Sequence, residues 1–428
     1  MSSLSRPRDP YVKLRRAVAQ SIRREMGLWG AGDRAAAERA PSVRQKALTK
    51  LKEMEPNLSD QTMAQVAADV TDEVMGLGPI EALLRDPTVS EIMVNGPRQV
   101  FCERSGQLEL TNRVFEDDAH IREIIDRILL PLGLSVDVRN PMADARLPDG
   151  SRVNVVIPPV SVDGSIITIR KFAREKITAA DLVKLESITE ECLAYLKACV
   201  RARLVIAVSG GTGSGKTTLL NVLSSFISDN ERLVTIEDVA ELQLQQSHVV
   251  RLETRQATRA TPSADSEDIT TRDLVRNALR MRPDRIIIGE VRGAEVSDLL
   301  QALNTGHEGS MTTLHANSPL DTLHRLETMM AFNGANLPQQ VVAEMVARAI
   351  RVVVFVSRLA GGRRGVSGVD EVLGWRNGQY EMRSIFTLAE RTGREVLVAT
   401  GERSSYEARF RRAGLHLSPE VFRRPDDL

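Results

Sequence analysis

The chain has 428 residues, 42% of them hydrophobic but only 4% aromatic, so its cores must be filled mainly by aliphatic side chains. Lys and Arg balance Asp and Glu at 57 each, which argues against a protein built to coat nucleic acid. Three scattered cysteines (Cys102, Cys192, Cys199) exclude a disulfide framework or four-thiolate zinc site and suit a reducing cytoplasm; no run of about 18 apolar residues offers a membrane span.

Residues 1–60 read as a basic N-terminal extension, with twelve Lys or Arg against four Asp or Glu in the first fifty positions. Within 11–28, Leu14, Val18 and Ile22 share one helical face while Arg15, Arg16, Arg23 and Arg24 spread over the others. Such a helix suits an anionic membrane surface or a partner, and equally suits its own protein with the arginines in water. Residues 29–45, rich in Ala, Arg and Gly, read as a poorly ordered connector, and 45–74 as a helical stretch broken near Pro56.

Residues 61–172 predict one compact α+β domain. Its elements are a short helix over 80–85, strands in SEIMVNG and QVFCERSGQLEL, an amphipathic helix over 120–130, and strands within 146–157 and 165–172. A short charged linker over 173–178 follows. From 179 to 428 helix and strand alternate, with strands expected at 204–209, 233–237, 285–289, 310–314 and 352–356, and helices at 274–281 and 295–303. The strands are nearly continuous Val, Ile and Leu runs, as a sheet buried on both faces requires, so the fold class is α/β with a RecA-like nucleotide-binding core. Residues 255–270 read as a mobile loop, and the chain past Ala389 as a charged tail without pattern.

The stretch Gly210-Gly211-Thr212-Gly213-Ser214-Gly215-Lys216-Thr217 fits G-x-x-x-x-G-K-[ST], follows an apolar run and leads through Thr218 into leucines. Glycines there let backbone N–H groups turn inward around a phosphate at a helix N-terminus. Lys216 supplies charge to the β- and γ-phosphates of ATP, and the Thr217 hydroxyl suits Mg²⁺. Glu290 ends an apolar strand at the ligand-binding edge of the sheet, where it suits Mg²⁺ or the attacking water. In LVTIED adjacent acids point to opposite sides, so Glu237 is chosen as the water-polarising residue and Asp238 as a capping or pairing one. His315 is placed to hydrogen-bond the γ-phosphate or that water, whereas His307, eight positions away, makes no compact metal-ligand pair with it. Arg146, Arg152 and Arg170 lie in the small domain and could bring positive charge to a nucleotide.

Several of these segments together resemble the type II/type IV secretion ATPases. GLGPIEALLRDPTVSEIMVNGP, DARLPDGSRVNVVIPP and TIRKF are similar to the family's N-terminal domain. SGGTGSGKTTLLN, TIEDVAELQLQQSHVVRLETR, RNALRMRPDRIIIGEVRG and QALNTGHEGSMTTLHANSP are similar to its Walker A, Asp, Walker B and His boxes. Within the family the pattern is most similar to the CpaF/TadA group of Tad (Flp) pili, and the paired-cysteine zinc insertion of the type II secretion and type IVa pilus ATPases is absent. The resemblance implies a PAS-like α+β domain before a RecA-like ATPase domain. Glu237 becomes the catalytic glutamate, Glu290 the Walker B acid, His315 the His-box residue, and Arg152 and Arg170, with Arg146 behind them, the nucleotide-contacting arginines. It implies a homohexameric ATP hydrolase at the cytoplasmic face of the inner membrane, working on platform proteins of a pilus or secretion system with no nucleic acid involved. Its rivals are a conjugative type IV secretion ATPase, a RecA-like nucleic-acid translocase, and a ring that binds ATP without hydrolysing it.

Overall fold

The computed structural model describes residues 9–27, 36–104, 106–172, 177–255, 268–332, 334, 337–359, 362–391 and 393–424. These residues fall into two compact units, with the division between 172 and 177.

The first unit begins with three helices, α1 (Val12–Met26), α2 (Ala36–Met54) and α3 (Asp60–Met75). Val18, Ala19 and Ile22 of α1 pack with Val43, Ala47 and Leu51 of α2 and with Met63, Val66, Ala67 and Val70 of α3. Three of the four arginines of α1 are paired internally. Arg15 pairs with Asp9 (2.5 Å) and Asp69 (3.2 Å), Arg16 with Glu123 (2.7 Å), and Arg23 donates to the Glu73 carbonyl. Of the settings open to a basic amphipathic helix, the one observed is against its own protein, with Arg24 left exposed. The connector expected over 29–45 is corrected in part: α2 starts at Ala36 and continues through Pro41, while 28–35 lie outside the described residues. Pro41 and the Ala-Arg-rich composition hide the helix from a propensity argument, but the periodic burial of Val43, Ala47 and Leu51 sustains it.

Next come α4 (Glu81–Arg85), β1 (Val89–Asn95), β2 (Val100–Arg104), β3 (Gln107–Leu110), α5 (Asp118–Leu129), β4 (Met142–Arg146), β5 (Arg152–Val156) and β6 (Ile166–Arg170). The strands form one antiparallel sheet in the order β3-β2-β1-β6-β5-β4. Its inner face packs on Ile121, Ile124, Ile125 and Ile128 of α5, which is N-capped by Asp117. The stretch 146–157 is two strand ends and a tight hairpin rather than one strand, because Gly150 takes φ +94°.

The second unit comprises α6 (Ala179–Lys184), α7 (Glu190–Arg201), β7 (Ile206–Gly210), α8 (Lys216–Ser224), β8 (Leu233–Glu237), β9 (Val249–Glu253), α9 (Thr271–Ala278), β10 (Arg285–Ile288), α10 (Glu295–Asn304), β11 (Met311–Leu314), α11 (Pro319–Phe332) and α12 (Gln339–Ala349). It closes with β12 (Val352–Arg358), β13 (Arg364–Arg376), β14 (Gln379–Arg391), β15 (Arg394–Ala399) and α13 (Glu407–Arg412). The nine strands form one sheet, β15-β14-β13-β12-β7-β11-β10-β8-β9, parallel from β12 to β9 and antiparallel from β12 to β15. Alternation sends Ile206 and Val208 to a core with α7 and α8, and Val205 and Ala207 to a second core with α9 to α12. Both faces are covered, as the unbroken apolar strands demand.

The patternless tail is corrected. β14 runs to Arg391, β15 follows, and α13 and the 3₁₀ turn Pro419–Phe422 pack back so that Phe410 and Phe422 meet Tyr195 of α7 at ring centroid distances of 6.1 and 5.9 Å. The buried Glu371 carboxylate of β13 anchors this return, accepting from the Tyr195 hydroxyl (2.7 Å) and the Ser405 amide (2.9 Å). The loop expected over 255–270 falls largely on 256–267, outside the described residues, as do 173–176 of the expected linker; Arg255 and Ile269 pair through their backbones.

Candidate nucleotide site

The glycine-rich loop joins β7, buried at every position, to α8, whose first residue is Lys216. Gly210, Gly213 and Gly215 take φ of +151°, +67° and +101°, and a Cβ at Gly210 would overlap the Val356 carbonyl oxygen of β12. The loop is therefore shaped by positions that only glycine fills without strain. Lys216 Nζ donates to the carbonyls of Gly210 (3.1 Å) and Gly211 (2.8 Å), and Ser214 Oγ also donates to Gly211 O (2.9 Å). Burial pushes the Lys216 ammonium below its ordinary pKa, with Glu290 opposing and Arg292 reinforcing the shift. Gly211 and Thr212 are exposed at the loop's tip, and Thr217 and Thr218 are half-buried in the first turn of α8.

Parallel pairing aligns the ends of the strands beside this loop. Ser209 pairs with Leu314 on β11, and Ile288 of β10 pairs with Thr312 of β11 and Ile236 of β8. Residues just past those ends therefore cluster. His315 Nδ1 lies 3.4 Å from Lys216 Nζ, and His315 Nε2 lies 2.9 Å from Glu290 Oε1. Arg292 Nη2 binds Glu290 Oε2 at 2.6 Å and its Nη1 lies 3.5 Å from Asp238. Burial alone would raise the Glu290 carboxyl, but Arg292, His315 and Lys216 hold it below its ordinary pKa. Burial and the neighbouring Lys216 lower the His315 pKa, so the ring is neutral near pH 7. His307 is not part of this cluster; its Nδ1 lies 3.2 Å from the Ala302 carbonyl, before β11 begins.

Glu237 is 3% exposed. Its Oε2 accepts the backbone N–H groups of Glu241 (2.7 Å) and Leu242 (2.8 Å), while its buried Oε1 accepts no hydrogen bond. Burial raises its pKa. Its side chain lies against Gly289, where a Cβ would stand 3.0 Å from Glu237 Cγ. Asp238 accepts from Thr271 Oγ1 at the start of α9 (3.1 Å), the pairing role its position suggested. Two residues escaped the sequence reading. Arg292 follows Glu290 by two, and Glu241 follows Glu237 by four with a carboxylate whose charge supports Arg292. The signal for both was present, since each sits inside a segment already singled out, but spacing alone could not show that they share one charge network.

In the first unit, Arg146, Arg152 and Arg170 prove to be direct cross-strand neighbours. Arg146 pairs with Arg152 across β4 and β5, and Arg152 with Arg170 across β5 and β6. The register thus sets three guanidinium groups in one row across the sheet, with Arg146 Nε also 3.4 Å from the Gly150 carbonyl oxygen. Glu91 of β1 pairs with Arg170 at the row's end, 3.9 Å away.

Mg²⁺ fits the residues present. The Thr217 hydroxyl has no hydrogen-bond partner among the described residues, and the half-buried Glu290 carboxylate faces His315 Nε2 through Oε1 (2.9 Å) and Arg292 through Oε2 (2.6 Å), so a metal would share it with these two side chains. One carboxylate and one hydroxyl leave the remaining positions to phosphate and water, the usual manner of holding this ion.

Known proteins place the chain further. The family model described as Type II/IV secretion system protein matches residues 73–378. A putative conjugal transfer protein of Mycobacterium tuberculosis is 37% identical over 303 residues, covering 69% of this chain and 84% of that one. The type IV secretion system protein VirB11 of Brucella suis is 32% identical over 324 residues, covering 69% and 88%. The solved VirB11 ATPase of the Brucella suis type IV secretion system, in complex with sulphate, superposes with a TM-score of 0.37 at 31% identity, covering 68% of this chain and 94% of that one. The chain belongs to the type II/IV secretion system protein family.

Proposed function

We propose that the chain is an ATP hydrolase working as a homohexameric motor on the inner-membrane platform of a pilus or secretion system, from the cytoplasmic face. One observation carries the hydrolytic reading: a single imidazole, His315, lies beside both the phosphate-loop Lys216 and the strand acid Glu290. Loop N–H groups and Lys216 bind the β- and γ-phosphates, His315 orients the γ-phosphate or the attacking water, and Glu290 with Thr217 forms the place for Mg²⁺, which would neutralise phosphate charge. Glu237, whose Oε1 is uncommitted and whose pKa burial raises, is the water-polarising carboxylate. A second reading is favoured by its Oε2, which is spent holding the 241–242 backbone: Glu237 then positions the loop and Glu241 polarises the water. Arg146, Arg152 and Arg170 are the residues of the first unit that we assign to nucleotide phosphate, on their charge and their alignment in one row.

For the client, the overall motif pattern favours a Tad pilus and relatives named for conjugal transfer and type IV secretion favour a conjugative system, while the absence of paired cysteines suits both. A strain lacking the gene decides between them. Loss of surface filaments in electron micrographs with DNA transfer intact supports the pilus; loss of transfer with filaments intact supports conjugation. Light scattering on the purified protein tests the ring, and a monomer in the presence of ATP analogues would contradict it.

A further inference from the structure

β12 runs parallel beside β7 with Val356 paired to Gly210, so Arg358 stands two residues further, level with the phosphate loop. Its guanidinium lies against that loop: a Cβ built on Gly213 would be 2.8 Å from Arg358 Nη2. Arg358 is exposed and makes no ion pair or hydrogen bond among the described residues. Directly opposite on β13 is Arg364, also exposed and with no side-chain partner among the described residues. Like charges opposed across a strand pair are unfavourable. The neighbouring Arg363 shows how such charge is ordinarily answered, with Glu186 at 2.6 Å. One uncompensated guanidinium, that of Arg358, therefore lies against the glycine-rich loop, and a second, that of Arg364, is its cross-strand neighbour. They lie on the β12 side, whereas His315 and Glu290 lie on the β11 and β10 side.

We propose that Arg358 is a phosphate ligand of the bound nucleotide, donating its N–H fork to a phosphate oxygen from the flank opposite His315, with Arg364 as the like charge that this anion neutralises. The inference rests on the nucleotide-binding reading of the loop. Guanidinium presents paired donors that match phosphate geometry, which an ammonium does not, so the two substitutions Arg358→Ala and Arg358→Lys have different expected effects.

The test is equilibrium binding of ATP and ADP to the full-length protein with Mg²⁺ present, with tripolyphosphate as competitor, for wild type, Arg358→Ala, Arg358→Lys and Lys216→Ala. Arg358→Ala should weaken ATP, ADP and tripolyphosphate alike by at least about tenfold, the size expected of a charged hydrogen bond, and Arg358→Lys should recover only part of that loss. The ligand-free melting temperature of Arg358→Lys should match that of wild type and that of Arg358→Ala should be equal or higher, since the side chain has no partner to lose and its loss relieves the repulsion with Arg364. Unchanged affinities overturn the proposal. A loss confined to ATP and ADP, or a wild-type protein that tripolyphosphate does not compete for, overturns it in favour of a base or ribose contact. If Lys216→Ala abolishes binding while Arg358→Ala does not, this inference alone fails; if wild type binds no nucleotide, both readings fail together.

Discussion

His315 Nε2 stands 2.9 Å from Oε1 of Glu290, while Nδ1 of the same ring stands 3.4 Å from Nζ of Lys216. One side chain thus links the anion-binding end of the site to its acidic end, and it does so neutral, because burial and Lys216 depress its pKa. In the proposed function a group so placed would act on the reacting phosphate more than on ground-state binding. His315→Ala should lower kcat for ATP by about a hundredfold or more and change the nucleotide Kd by less than about threefold. Steady-state kinetics beside equilibrium binding measures the split; a loss residing wholly in Kd would make His315 a binding residue only.

Glu237 and Glu241 can be separated by two amide substitutions. Glu237→Gln removes one of the acceptor oxygens next to the 241–242 backbone, so if Glu237 holds that loop its melting temperature should drop, by the equivalent of about 1–2 kcal/mol, together with kcat. Glu241→Gln leaves the Glu237 carboxylate in place and should lower kcat if Glu241 polarises the water. Full activity of Glu241→Gln leaves Glu237 as the water-polarising carboxylate.

Arg285 opens the strand that delivers Glu290, yet it is only 1% exposed. Glu231 meets it with both oxygens, at 2.8 and 2.7 Å, and the carbonyls of Val200 and Gly309 accept at 2.8 and 3.2 Å. Glu231→Ala leaves a buried guanidinium without its counter-charge, which should destabilise the protein by about 3–5 kcal/mol in denaturant titration. A change below about 1 kcal/mol would mean that water reaches Arg285 freely.

Asp370 on β13, half-buried between its neighbours Val353 and Ser384, has its carboxyl pushed up to about 6 by desolvation. A raised carboxyl binds its proton more tightly folded than unfolded, so its contribution is most favourable at low pH and is lost as pH rises through about 6. Asp370→Asn should therefore be more stable than wild type at pH 8, by roughly 3 kcal/mol at most, and the gain should vanish near pH 4. Melting curves of the two proteins across this range give the difference directly; a gain that is independent of pH would contradict the cause assigned.

Much of this was legible in the chain. The parallel strands were found because each is an unbroken aliphatic run, which only a doubly covered sheet explains, and the loop because its glycines, lysine and threonine sit between such a run and a helix. The antiparallel strands β13 to β15 were missed because their exposed positions carry Arg, Glu and Gln, diluting the alternation; their anchor, Glu371 against Tyr195, joins residues 176 positions apart. The alignment of Arg146, Arg152 and Arg170 was hidden for the same reason, since register is a property of paired strands and not of any one of them. The arginines of α1 looked available to a membrane surface because their partners Asp69 and Glu123 lie on other helices.

Phosphate release from ATP by the purified wild-type protein, set against Lys216→Ala under the same Mg²⁺ concentration, bears most directly on the hydrolytic reading. Lys216 is the one charged side chain of the loop, so turnover in the variant should fall by at least about a hundredfold while the protein still folds, its ligand-free melting temperature changed only by the loss of the bonds to the Gly210 and Gly211 carbonyls. Equal rates in the two proteins would contradict the site.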